Sequence, residues 1–155
     1  MATQDEICFR PIGVVANNVT DTVDENWGNV HSRLIVDEQL VRGLQGLEQF
    51  SHALVITFLQ KASFNPERHL VRRPRGLDSM PLVGIFSQRA KDRPNPIGVT
   101  AVQIVGVGDD FVEVKGLDAI DGTPVLDIKP YYPQYDLVTG ASVPEWVNKL
   151  MQGYF

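Results

Sequence analysis

The chain has 155 residues, of which 43% are hydrophobic and 21% charged, with a formal net charge of −5 at pH 7. Such a length suits one folded domain, and the composition is that of a globular chain and not a disordered one. The acidic balance excludes a protein that coats nucleic acid with a generally cationic surface, and the lone Cys8 excludes internal disulfides and thiolate-rich metal centres.

The first ten residues carry Asp5 and Glu6 and lack the basic start and apolar stretch of a secretory signal, so the expected location is the cytoplasm. No apolar run reaches membrane-spanning length. Phe9 to Val15 reads as a first strand, the stretch from Asn17 to Gly28 as a polar loop holding Trp27, and Val30 to Val36 as a second strand. A tryptophan in such a loop is either a core anchor or a binding surface.

From Glu38 to Phe50, Leu40, Val41, Leu44 and Leu47 follow helical spacing, but Gly43 and Gly46 predict a short or broken helix. Residues 53–59, Ala-Leu-Val-Ile-Thr-Phe-Leu, predict a strand buried on both faces. Residues 60–81 contain Pro66, Pro74, Pro81 and many arginines without periodicity, which predicts a long surface excursion of the kind that usually carries function. Strands are then expected at Leu82 to Phe86, Val99 to Val107, Phe111 to Leu117 and Val125 to Ile128, with turns at Gly108-Asp109-Asp110 and Asp121-Gly122. Strands joined by short turns without helices between them make an antiparallel sheet or barrel. A terminal helix is expected with Ser142 as its cap, Pro144 and Glu145 in its first turn, and Trp146, Val147, Leu150, Met151 and Tyr154 as its apolar stripe.

Several chemistries find no support. Gly106-Val107-Gly108 starts like a dinucleotide fingerprint, but Phe111 stands at the third glycine position and a strand follows where a helix is required. No nucleophile elbow is present, and His31, His52 and His69 have no metal-ligand spacing.

Two local features are unusual. Arg68, Arg72, Arg73, Arg75, Arg89, Lys91 and Arg93 supply half of the 14 basic residues, against Asp78 and Asp92 alone in the same stretch, so one face is predicted to be basic. Within it, Arg93-Pro94-Asn95-Pro96-Ile97-Gly98 has two prolines that fix φ and hold the flanking backbone extended, while Gly98 permits close approach. Rigid extended backbone presents its carbonyls and amides to a ligand at low entropic cost. On its own the segment is also consistent with a plain link between two strands.

Residues 84–89 (Gly-Ile-Phe-Ser-Gln-Arg), 93–98 (Arg-Pro-Asn-Pro-Ile-Gly), 117–131 (Leu-Asp-Ala-Ile-Asp-Gly-Thr-Pro-Val-Leu-Asp-Ile-Lys-Pro-Tyr) and 46–52 (Gly-Leu-Glu-Gln-Phe-Ser-His) together resemble the TsaA-like family, typified by TrmO. The resemblance covers most of the chain, in the same order, and implies one mainly-β domain over residues 1–155, a small antiparallel or mixed β-barrel with short helices and a C-terminal helix. It further implies a homodimer that uses S-adenosylmethionine to methylate the exocyclic nitrogen of threonylcarbamoyladenosine beside the tRNA anticodon.

Carried over by position, the cofactor would meet Gln60, Lys61, Arg89, Val99, and Lys115, Gly116, Leu117 and Asp118, with Arg93, Pro94, Asn95 and Pro96 as one wall. Asn26, Trp27 and Gly28 stand where longer members carry a cofactor-contacting loop, so Trp27 is a candidate to stack on the adenine. The proton acceptor for methyl transfer is expected among Asp121, Asp127, His52 and Tyr131, which sequence does not rank. Arg68, Arg72, Arg73, Arg75 and Lys91 are the expected RNA contacts. Two alternatives stay open: a module that senses S-adenosylmethionine without catalysis, and a methyltransferase acting on a small molecule.

Overall fold

The computed structural model describes residues 6–155; part of the acidic N-terminal stretch discussed above lies outside the described residues. Six strands close into a barrel in the order β1 (Gly13–Ala16), β2 (His31–Val36), β7 (Phe111–Lys115), β6 (Ile97–Val107), β3 (His52–Phe58), β8 (Pro124–Pro130), every pairing antiparallel. Between β3 and β6 the chain forms α1 (Pro66–His69) and a two-stranded ribbon of β4 (Val71–Arg72) and β5 (Val83–Gly84). Beyond the barrel come α2 (Pro133–Asp136) and α3 (Glu145–Leu150). The mainly-β barrel expected from sequence is therefore the fold found.

Alternation of side chains across each strand fills the interior. Ser32, Leu34 and Val36 of β2, Ala53, Val55 and Thr57 of β3, and Val112 and Val114 of β7 are all buried, and they meet Val15, Val102 and Val125. Each fully buried valine or leucine contributes roughly 2 kcal/mol through removal of its surface from water. The last strand pair is short, Gly13↔Val125 and Val14↔Pro124, and is lengthened by bonds from Ile12 N–H to the Val125 carbonyl and from Val15 N–H to the Thr123 carbonyl. Pro124, lacking an N–H, is tolerated as the first residue of its strand. Register shifts interrupt the β3–β8 pairing at Ile56/Thr57 and the β6–β7 pairing at Ile104/Gly106, and β6 pairs with β3 by its first part and with β7 by its second, Gln103 facing both His52 and Lys115.

Several elements differ from expectation. The first strand begins only at Gly13; Pro11 cannot donate to a ladder, and Phe9 is exposed. Residues 53–59 alternate between buried and partly exposed positions, because a barrel wall has one inner face and Leu54 and Ile56 are on the outer one. The glycine-weakened helix is broken into 3-10 turns at Val41–Leu44 and Leu47–Gln49, with Gly46 at φ 90° between them. Leu82 to Phe86 yields only the two residues of β5 before a 3-10 turn at Ile85–Ser87. The terminal helix is capped by Pro144 rather than Ser142, and it ends before Tyr154, whose polar end is used elsewhere.

Candidate functional site at one end of the barrel

Strand direction sorts the predicted site residues between two ends. The ends of β1, β3 and β7 and the starts of β2, β6 and β8 share one rim, which therefore carries the chain near Asn17, Trp27–His31, residues 59–61, 93–99 and 115–123. The opposite rim carries His52, Tyr131 and the 38–50 connection.

At the first rim the segments are stitched directly. The Leu59 N–H donates to the Pro96 carbonyl at 2.8 Å, so the rigid Pro94–Pro96 stretch is adjacent to Gln60 and Lys61. Lys61 Nζ donates to the Thr20 carbonyl at 3.0 Å, and the Arg89 guanidinium to the carbonyl of Val99. Gly98 fits because a Cβ there would lie 2.5 Å from Thr57 Oγ1. The Gly116 N–H donates to the Val30 carbonyl at 3.0 Å, joining the end of β7 to the Trp27–Asn29 turn, with Gly116 at φ 92°. Leu117 is buried in the barrel core and anchors this segment from beneath.

Asp118 is the focal acid. Its Oδ1 accepts a hydrogen bond from the Thr100 hydroxyl, and its Oδ2 accepts one of 2.7 Å from the Tyr154 hydroxyl. Burial of Tyr154, then the charge and hydrogen bond of Asp118 and the charge of Asp24, push the phenol well above its ordinary range, against an opposing pull from Arg75. The Arg75 guanidinium lies 5.7 Å from the centre of the Tyr154 ring and 3.7 Å from Asp24 Oδ1. Backbone bonds from Asn26 N–H to the Gly153 carbonyl and from Trp27 N–H to the Tyr154 carbonyl, both 2.8 Å, lay Gly153–Phe155 along the Asn26–Gly28 loop. Gly28 is required there, since a Cβ would lie 2.6 Å from the Phe155 carbonyl carbon.

Trp27 is the core anchor of its loop. It is 3% exposed with Nε1 donating to the Val23 carbonyl, so its ring has no open face for an adenine, which corrects the stacking role expected for it. Asn26 adopts φ 63°, a conformation asparagine tolerates, and its side chain accepts from Asn29 Nδ2 at 2.7 Å.

The basic excursion is heavily braced. Arg73 donates to the Met80 carbonyl, and Arg93 donates from Nη1 to the carbonyls of Gln88 and Ala90 at 3.0 and 3.3 Å. Arg72 and Lys91 both face Asp92, at 3.9 and 2.7 Å. Burial would raise the Asp92 carboxyl, but hydrogen bonds from Lys91 and the Ser63 amide and the charges of Lys91 and His69 outweigh it and hold it below its usual range. Buried Gln88 donates from Nε2 to the carbonyls of Arg72 and Val83, fastening the ribbon to the turn. Bonds to carbonyls leave the charge of Arg73, Arg89 and Arg93 uncancelled, so the surface stays basic although few of these side chains are free. Arg68 is exposed and, apart from its backbone N–H donating to the Asn65 carbonyl at 3.1 Å, its side chain makes no hydrogen bond or ion pair among the described residues.

The four proton-acceptor candidates are separated. Only Asp121 is at the same rim as Asp118, and its Oδ1 accepts from the Asn17 amide at 3.0 Å. Asp127, midway along β8 opposite Ile56, accepts from the Ile128 amide at 2.9 Å and pairs with Lys129 at 2.8 Å. It lines a cleft of about 570 Å³ with Ile12, Phe50 and Ile128, and a smaller one of about 330 Å³ opens nearby between Val41 and Asp109. At the far rim the His52 Nδ1 meets Ser51 Oγ at 2.8 Å and its ring stands edge-on to Tyr131, 6.5 Å between centres. Thr100 and Tyr154 were not singled out in the sequence as site residues; a threonine in a strand and a tyrosine in an apolar stripe give no local signal. Among the described residues no three His, Cys, Asp or Glu side chains gather as a metal-binding group.

The fold found is a closed six-stranded antiparallel barrel, and comparison with known proteins gives the family it belongs to. Residues 24–137 match the family described as the tRNA-methyltransferase O N-terminal domain, and the chain belongs to that family. A probable S-adenosyl-L-methionine-binding protein of Pyrococcus abyssi is 31% identical over 153 residues, covering 92% of this chain and 77% of that one. The mouse tRNA (adenine(37)-N6)-methyltransferase is 41% identical over 107 residues, 69% of this chain but 24% of that protein. A crystal structure of TrmO from Pseudomonas aeruginosa superposes with a TM-score of 0.76 at 26% identity, covering 94% of this chain and 64% of that one. The chain thus spans just under two thirds of that solved TrmO chain.

Proposed function

We propose that the protein is an S-adenosylmethionine-dependent methyltransferase whose acceptor is the exocyclic nitrogen of threonylcarbamoyladenosine beside the tRNA anticodon. The observation that carries the reading is the convergence at one rim of residues 26–28, 59–61, 93–99 and 115–118, four stretches distant in sequence. Membership of the tRNA-methyltransferase O family supports the reaction class.

The residues present suit the cofactor. The carboxylate of Asp118, fixed by Thr100 and Tyr154, keeps acceptor capacity for ribose hydroxyls or an ammonium group. Arg89 is exposed and, beyond its bond to Val99, retains N–H donors for a carboxylate. When bound, S-adenosylmethionine supplies an electrophilic methyl group. The chain's part is alignment: the proline-stiffened 93–98 wall and the Gly116 turn hold donors and acceptors in place at little entropic cost. The uncancelled cations of the 68–93 excursion attract RNA phosphates, and Arg68 is the freest of them. Among the proton-acceptor candidates, Asp121 alone shares this rim. The same reading places the protein as a homodimer in the cytoplasm with residues 1–155 as one barrel domain; among the described residues no helix is long and apolar enough to cross a membrane.

Calorimetry with S-adenosylmethionine tests the first half, and tritiated cofactor incubated with total tRNA from a strain lacking the endogenous enzyme tests the second. Label in tRNA that is lost when the threonylcarbamoyl modification is absent is the expected result. Binding without transfer to RNA defeats the acceptor assignment and leaves a sensor or a small-molecule methyltransferase. Absence of binding defeats the whole reading.

A further inference from the structure

The last residues of the chain are built into the wall that the functional reading assigns to the cofactor. The attachment has several independent parts. Two main-chain bonds fasten Gly153 and Tyr154 to Asn26 and Trp27, and the hydroxyl of Tyr154 reaches Asp118, 36 residues away in sequence. The Tyr154 ring is held edge-on by Phe155, with ring centres 4.9 Å apart, and Arg75 of the basic excursion stands over it. A tyrosine in a turn beyond a helix, with no task, would project its polar group to water. Here the group is partly buried and spent on a carboxylate.

The two oxygens of Asp118 are served from opposite sides, Oδ1 by Thr100 from the strand wall and Oδ2 by Tyr154 from the tail. A carboxylate with one donor on each oxygen is fixed in rotation about its Cβ–Cγ bond, and each oxygen keeps a lone pair for a further donor. Both hydroxyls donate, so both favour the ionised acceptor over the neutral acid. From this geometry we infer that Tyr154 is a positioning residue for the cofactor: with Thr100 as its counterpart, it orients the Asp118 carboxylate so that the free lone pairs face the rim. The inference rests on the reading of this rim as the S-adenosylmethionine site. It adds a residue beyond the segments that carried the family resemblance in the cofactor assignment.

Tyr154→Phe keeps the ring beside Phe155 and beneath Arg75 and removes only the hydroxyl. Losing a hydrogen bond to a charged group predicts about tenfold weaker S-adenosylmethionine binding by calorimetry. Because Tyr154 acts through Asp118, the double variant Tyr154→Phe/Asp118→Asn is expected to bind no more weakly than Asp118→Asn alone. A purely structural tyrosine gives losses that multiply. Should Tyr154→Phe fail to fold by circular dichroism, Thr100→Val reads the same device from the other oxygen, with the same absence of compounding expected. Wild-type binding strength in the single variant that folds, or multiplying losses, overturns the inference. Failure of the unaltered protein to bind is a separate result, which overturns the functional reading before any variant is made.

Discussion

The Asn17 amide donates to Oδ1 of Asp121 at 3.0 Å, tying together two turns 104 residues apart in sequence. The Asn17 side chain continues the network, donating to the Ser32 hydroxyl at 2.9 Å and to the Ala119 carbonyl at 2.8 Å and accepting from the Val19 amide. This gives Asp121 a structural task beside its candidacy as proton acceptor, and the two separate by substitution. Asp121→Asn keeps an oxygen acceptor for the Asn17 amide and is expected to change unfolding free energy by less than about 0.5 kcal/mol, whereas Asp121→Ala loses about 1 kcal/mol. Urea denaturation checks both. Loss of methyl transfer in Asp121→Asn with stability intact assigns the proton-accepting role, and retained transfer withdraws it.

Gly28 separates the tail from the barrel as a design element. An added Cβ meets the Phe155 backbone at 2.6 Å and has to expel it, while nothing in the barrel ladder passes through this residue. Gly28→Ala is therefore expected to release Gly153–Phe155 and leave the six strands paired. Hydrogen exchange measures this directly: the amides of Asn26 and Trp27, bonded to the Gly153 and Tyr154 carbonyls, lose protection, while Val112 and Val114 in β7 retain theirs.

The barrel was legible because its inner residues repeat every second position between turn signals, as in residues 32, 34 and 36 and again in 112 and 114. The β4–β5 ribbon was not: two-residue strands carry no period, and the short ladder of this one is reinforced by the buried Gln88 amide. Residues 93–98 and 115–118 stood out as candidate site segments through composition and resemblance. The division of Asp121 from His52 and Tyr131 required strand direction, and the Tyr154–Asp118 bond required tertiary structure, since hydrogen-bond partners distant in sequence leave no local pattern. The arginines illustrate the same limit. Their clustering was plain, but only the three-dimensional structure distinguishes Arg93, whose guanidinium braces its own turn, from Arg68, whose side chain braces nothing among the described residues.

That distinction selects the variant for RNA binding. Replacing Arg72, Arg73 or Arg75 disturbs contacts to Asp92, Met80 or Asp24 as well as charge, so their loss of function would be ambiguous. Arg68→Ala leaves those contacts in place. It is expected to weaken tRNA binding severalfold, to lower the slope of log affinity against log salt by about 1, and to leave the melting temperature and cofactor binding unchanged. Filter binding across a salt series gives the slope; an unchanged slope removes Arg68 from the RNA surface.

Tyr154 also sets the behaviour of the protein in alkali. Burial, the Asp118 carboxylate and Asp24 raise its phenol above the ordinary value of 10.0, despite Arg75. The neutral phenol is thus favoured in the folded state, and its contribution to stability is complete below pH 10. It declines as pH rises toward the raised folded value, because the unfolded chain ionises first. Stability measured by urea denaturation should consequently fall from about pH 10 upward, with a part of that fall missing in Tyr154→Phe. Absorbance at 295 nm offers a second reading, in which one of the four tyrosines titrates late or only on unfolding and that component disappears in the variant. Four phenols titrating together in the folded protein would show that Tyr154 does not donate to Asp118 in solution.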